Sequence, residues 1–206
     1  SGNVSFYNET KDKGIKPTPA IGGIGLIKNY EDMINMNFKN NGNVVYVIGK
    51  TEGHLDQSVF AKEILNEKKG PPPIINLFNE KNIGDTILNL IEQKLIITCH
   101  DVSLGGILTA VSKMCIKGNK GIKLHNLKGL TNKYEYFFGE DQGRYIIEIP
   151  KNKIKSVVDI LNRNSVHYDD LGIIQDKNMS YKGDINLPIE DLSDAHKYWL
   201  EEFMEK

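Results

Sequence analysis

Residues 95–108, Leu95-Ile96-Ile97-Thr98-Cys99-His100-Asp101-Val102-Ser103-Leu104-Gly105-Gly106-Ile107-Leu108, decide how this chain is built. The apolar run LIIT predicts a buried strand over 95–98, and apolar spacing through Ile107, Ala110, Val111 and Met114 predicts a helix from Gly106 to Ile116. The loop between them puts a His, an Asp and a Ser within four residues. A hydrolytic Ser-His-Asp set needs the Asp to orient the His and the His to take the Ser proton. Neighbours in a strand point to opposite faces, so His100 and Asp101 are not expected to form that orienting pair. The spacing suits a helix mouth of Ser103-Leu104-Gly105-Gly106, whose free N–H groups and dipole attract negative charge. Two readings stay open: Asp101 or Ser103 caps the helix, or the loop binds phosphate or metal-bound phosphate.

Working outward, short β-branched runs bounded by Gly and Asn predict strands at GIGLI (from Ile21) and NVVYVIG (43–49). A helix is predicted over 57–66 and is stopped by KKGPPPI at 68–74, where prolines remove backbone donors. Ile83, Ile87, Leu90 and Ile91 form one apolar stripe, predicting a helix over 76–94. Strands follow at GIKL (121–124) and RYIIEI (144–149), then a helix over 151–164 and strands VHYDDLGII (166–174) and MSYKG (179–183). A last helix runs from Ile189 to Met204. Several strands adjoin without a helix between them, which predicts an α+β fold, a mixed sheet with helices packed on it.

The 206 residues hold 26 Lys plus Arg against 27 Asp plus Glu, so no charge excess points to nucleic acid or an acidic membrane surface. No apolar run is long enough to span a bilayer and no charged-then-apolar leader opens the chain. The two cysteines, Cys99 and Cys115, lie in apolar sequence without metal-like spacing and read as small buried hydrophobes in a reducing cytoplasm.

VIGKTEG (47–53) ends like a phosphate loop, but Val44 stands where such a loop needs Gly; a strand ending in a Gly turn with a surface Lys is the ordinary reading. FFGEDQGRY (137–145) gathers Glu140, Asp141 and Arg144 beside a strand, as a metal or ligand site or as a salt-bridged strand entrance on the surface. GNVSFYNET (2–10) would place Asn3, Ser5, Tyr7 and Glu9 on one strand face, a polar face that either lines a site or is a mismatched edge separated from its parent domain.

Taken in order, GNVSFYNET, PTPAIGGIGLI (17–27), CHDVSLGGIL (99–108) and FFGEDQGRYIIEI (137–149) closely resemble the large-subunit family of phosphoribosylformylglycinamidine synthase. That family belongs to the aminoimidazole-ribonucleotide-synthetase superfamily. The resemblance covers nearly the whole chain and implies the C-terminal part of that subunit. It implies residues 1–19 as the trailing strand and linker of a preceding N-terminal-type domain, and residues 20–206 as a C-terminal-type domain, partly ferredoxin-like.

The activity implied is ligation: ATP- and glutamine-dependent amidation of formylglycinamide ribonucleotide in purine biosynthesis, with magnesium, in the cytoplasm. The implied partners are a glutaminase subunit, a small subunit and the upstream portion of the same chain. By resemblance Gly2 contacts ATP, Asn3 ligates magnesium and Ser5 touches substrate, while the catalytic His belongs to upstream sequence. By internal pseudosymmetry His100, Asp101, Ser103, Gly105, Gly106, Glu140, Asp141 and Arg144 match a phosphate region and imply an auxiliary phosphate site. The family's Asp is replaced here by Leu104, and its Gly-Gly-Ser segment by Asp56-Gln57-Ser58. The alternatives are another superfamily member or a noncatalytic docking domain.

Overall fold

The computed structural model describes residues 9–14, 22–27, 29–125 and 132–205. The chain divides between Met33 and Ile34 into two compact units. In the first, β1 (Glu9–Thr10) and β2 (Lys13–Gly14) pair antiparallel. The turn residues Lys11 and Asp12 both have positive φ, 52° and 59°, the backbone a two-residue type I′ turn requires. The strand expected at GIGLI is not formed: residues 22–27 join no ladder, and Ile24 and Leu26 are fully exposed. Glycines at 22, 23 and 25 leave few side chains to pack, and an unpaired strand has no backbone partners to hold it.

The second unit is a seven-stranded mixed sheet with helices on both faces. Its elements are β3 (Val44–Ile48), α1 (Val59–Glu63), α2 (Leu77–Glu92), β4 (Thr98–Asp101), α3 (Gly106–Gly118), β5 (Gly121–Leu124), α4 (Lys133–Phe138), β6 (Tyr145–Ile149), α5 (Ile154–Arg163), β7 (Tyr168–Gln175), β8 (Asn178–Tyr181), β9 (Ile185–Pro188) and α6 (Ile189–Met204). The strand order is β4-β6-β3-β7-β5-β8-β9, antiparallel throughout except for β5 beside β8.

β3 explains why VVYVI reads as an unbroken apolar run: all five residues are buried, because both faces of the sheet are covered. Val45 and Val47 face a core with Ile107, Val111 and Met114 of α3; Val44, Tyr46 and Ile48 face one with Ile83, Ile87 and Leu90 of α2 and Val157 and Leu161 of α5. The predicted helices over 76–94 and 106–116 are found as α2 and α3. The helix expected over 57–66 shrinks to the five residues of α1, started by Ser58, whose Oγ accepts the Ala61 N–H at 3.0 Å. β4 lies later than LIIT: Leu95 and Ile96 are buried ahead of it, and pairing with β6 fixes the strand at 98–101.

The segment entering β3 is fastened to the sheet and to α3. Asn35 bridges Thr98, its carbonyl accepts the Cys99 N–H at 3.2 Å, and the Phe38 N–H donates to the Met114 carbonyl. Glu148 of β6, fully buried, accepts the Lys39 N–H at 2.8 Å, the Asn40 N–H at 3.0 Å and Asn43 Nδ2 at 2.7 Å.

Candidate functional site

The loop from Gly139 to Arg144 leaves α4, enters β6 and carries its charged side chains inward. The Arg144 side chain is fully buried. Its Nη2 donates to the Gly139 carbonyl at 2.6 Å, Nη1 to Thr51 Oγ1 at 3.2 Å and Nε to the Asp141 carbonyl at 3.3 Å. Asp141 Oδ2 lies 3.5 Å from Arg144 Nη1 and accepts the Gly53 N–H at 3.0 Å, while Oδ1 accepts the His54 N–H at 3.1 Å. Burial lowers the Arg144 pKa, and the charges of Asp141, Tyr136 and Glu140 act in the opposite sense. The surface salt-bridge reading of this cluster does not hold, since Asp141 is 8% exposed and Arg144 1%.

Glu140 points elsewhere. Its Oε1 accepts the Gly105 N–H at 2.8 Å and the Val59 N–H at 2.8 Å, and its own N–H donates to the His54 carbonyl at 2.8 Å. The loop therefore joins the start of α3, the start of α1 and the segment from Thr51 to His54 ahead of α1. The fit is close enough to demand glycine. A Cβ on Gly106 (φ +70°) would lie 2.7 Å from the Phe137 carbonyl oxygen and 2.8 Å from that of Gly139.

At the mouth of α3, Gly105 is the N-cap with φ 83°, and no side chain caps the helix, so neither Asp101 nor Ser103 has the capping role. Ser103 contributes its carbonyl, which accepts the Gly106 N–H at 3.0 Å. His100 Nδ1 does approach Asp101 Oδ1, at 3.2 Å, against the opposite-faces expectation. Asp101 ends an edge strand with its side chain 64% exposed, so it is free to fold back toward the ring. Burial pulls the His100 pKa below its ordinary 6.5; Asp101 opposes this and Lys113 adds to it. Among the described residues no hydrogen bond joins Ser103 Oγ to His100, which leaves the hydrolytic reading without its central contact.

Beside the loop lies a cavity of about 620 Å³, bounded by Lys50, Glu52, His54, Asp56, Glu80, Glu135, Asp141 and Gln142 together with Ile74 and Ile83. Carboxylates outnumber basic groups there, which disfavours a phosphate. Lys50, the surface Lys of the Gly turn, pairs with Glu52 at 2.7 Å. Among the described residues no three His, Cys, Asp or Glu side chains converge as metal ligands, and Glu140 and Asp141 already accept backbone donors. These carboxylates do not fit a magnesium site. Gly2, Asn3 and Ser5 lie outside the described residues.

Sequence reasoning missed the strap that receives the loop: Thr51, Gly53, His54 and Val59. Three of these act through backbone N–H groups, which leave no residue signature; Gly53 in VIGKTEG was the available hint.

Three comparisons bear on the chain. Residues 40–182 match the family described as AIR synthase related protein, C-terminal domain. Along 205 residues the chain is 60% identical to the phosphoribosylformylglycinamidine synthase subunit PurL of Pelagibacter ubique, covering all of this chain and 28% of that protein. The fold is similar to that of T. maritima PurL. Its complex with FGAR gives a TM-score of 0.66 at 20% identity over 80% of this chain and 30% of that one, and its complex with ATP gives 0.63 at 18%, over 80% and 28%. The T. maritima PurLQS structure gives 0.63 at 18% identity, over 80% of this chain and 28% of that one.

Proposed function

Because the chain belongs to the AIR synthase related family, matching its C-terminal domain, we propose that it is the C-terminal part of a phosphoribosylformylglycinamidine synthase large subunit. The observation that carries this is the 60% identity with a PurL subunit along 205 residues. The whole protein, on this reading, is an ATP-dependent carbon–nitrogen ligase that takes ammonia from glutamine and converts formylglycinamide ribonucleotide to its amidine in the cytoplasm. Its partners are a glutaminase subunit and a small subunit, a reading supported by the PurLQS assembly of T. maritima.

Within that protein the described unit works as a scaffold without turnover of its own. Its inward carboxylates accept backbone N–H groups and its buried Arg144 ties one loop to the next, so the cluster from His100 to Gly106 and from Glu140 to Arg144 serves structure. Gly2, Asn3 and Ser5 are the chain's contribution to the reacting centre: close approach to ATP at a residue without Cβ, an amide oxygen for magnesium, a hydroxyl for substrate.

Ammonia-dependent amidation decides between the parts of this reading. The 206-residue chain alone is expected to give no turnover, and the same chain carrying its upstream portion is expected to be active, with Ser5→Ala raising KM for the ribonucleotide. Turnover by the short chain would overturn the scaffold assignment. An inactive extended protein, supplied with ATP, magnesium and ammonia, would overturn the synthase assignment.

A further inference from the structure

We propose that residues 68–75 are a flap on the cavity of about 620 Å³, latched by the side chains of Gln57 and His54 and able to open while the sheet stays folded. The inference goes beyond the synthase reading and stands without it. Pro73 and Ile74 of this segment wall the cavity, with His54, Leu55 and Asp56 beside them. Between α1 and α2 the chain runs over the surface: residues 64–72 are all exposed, Ile74 is 93% exposed and Ile75 60%. Among the described residues no backbone group of 68–75 bonds to another backbone group. Opening therefore uncovers little apolar surface and breaks no ladder, which makes this a segment of low opening free energy. Two side chains hold it. Gln57 Nε2 donates to the Gly70 carbonyl at 2.9 Å, and His54 Nε2 to the Pro71 carbonyl at 3.0 Å.

Gln57 holds the flap from a strained backbone. Its φ of 60° is left-handed, a conformation that disfavours any residue with a Cβ. Glycine would sit there freely, but glycine has no amide to reach Gly70. Strain that the surroundings maintain points to a task, and among the described residues the one bond made by the Gln57 side chain is the bond to the flap. His54 is mounted on the 139–144 loop: its N–H donates to Asp141 Oδ1 at 3.1 Å and its carbonyl accepts the Glu140 N–H at 2.8 Å. The latch is thus fixed at its base. Pro71, Pro72 and Pro73 stiffen the middle of the flap, so it moves as one piece about Asn66, with φ 55°, and Asn76, the N-cap of α2.

Trypsin cleavage after Lys68 and Lys69 reads the opening, because the protease takes the segment only when it leaves the surface. Gln57→Gly is expected to speed cleavage about three- to tenfold, as the loss of one hydrogen bond predicts. Its urea midpoint is expected to stay at or above the native one, because the positive φ is relieved. His54→Ala should speed cleavage in the same range. Ser165→Gly relieves a positive φ of 54° on the turn after α5 and is expected to leave cleavage unchanged. Spin labels at Lys69→Cys and Lys155→Cys, the latter on α5, follow the movement; Cys99 and Cys115 stay unlabelled because burial keeps their thiols protonated. One distance is expected with Gln57 present and a second population with Gln57→Gly. Unchanged cleavage in Gln57→Gly would overturn the latch. Faster cleavage that comes with a lower midpoint would overturn opening as a separate event, and faster cleavage with a single unshifted distance would reduce the flap to fraying at its lysines.

Discussion

Replacing Asp141 with Asn tests whether the 139–144 loop is a structural clamp. The carboxylate has two oxygens, and both are used: Oδ1 takes the His54 N–H, and Oδ2 takes the Gly53 N–H and faces Arg144. An amide keeps the shape but turns one of these acceptors into a donor aimed at a donor. It also leaves a guanidinium with 0% side-chain exposure without its nearest carboxylate. Breaking one side of a buried pair costs about 3–5 kcal/mol. For a domain of this size each kcal/mol moves the midpoint by about 2–4 °C, so Asp141→Asn is expected to lower it by roughly 6–20 °C. Urea unfolding read by circular dichroism gives the free energy, and Arg144→Met with the double variant completes a cycle. The two single losses are expected to exceed the double by about 1–3 kcal/mol. A loss under about 1 kcal/mol, the level of an exposed pair, or strict additivity would refute the clamp.

Glu148→Ala strips three donors of their acceptor at once and is expected to destabilise the protein by about 3–5 kcal/mol, measured by the same urea titration. His100 has a lowered pKa in the fold, so the unfolded chain binds its proton first and stability is lost as pH falls below about 6.5. Histidine NMR titration should show Asp101→Asn moving the His100 pKa lower still, since Asp101 is the charge that holds it up. Burial pushes both Cys99 and Cys115 up to about 12, so neither thiol should react with a disulfide reagent at pH 8 until denaturant is added; both should then react at ordinary rates.

Apolar stripes and runs made α2, α3, β3 and β6 legible, because Ile83, Ile87 and Leu90 of α2, Ile107, Ala110, Val111 and Met114 of α3, all of β3, and Ile146, Ile147 and Ile149 of β6 are buried. They misplaced β4, since LIIT reports which residues are inside and the register with β6 reports which are paired. α4 was invisible as a helix. KYEYFF is rich in strand-favouring aromatics, and the helix depends on Asn132 capping Tyr134 and Glu135 and on Tyr136 and Phe137 reaching the core. The residues of the candidate site were recognisable from FGEDQGR. Their inward direction was not, because the groups they bind are backbone donors 81 to 88 residues away at Val59, His54 and Gly53. Charged residues beside glycines read equally well as a solvent-facing turn.

The fastening of residues 35–43 has a mechanical consequence. Tension applied to the chain ahead of this segment reaches β3 only after crossing Asn35 on β4, Phe38 on α3 and Lys39 and Asn40 on Glu148. These attachments sit on three different elements and are loaded one after another along the chain. A pull from the N-terminal side should therefore meet its first force peak at the Asn35 bridge, well before the central strand is drawn from the sheet.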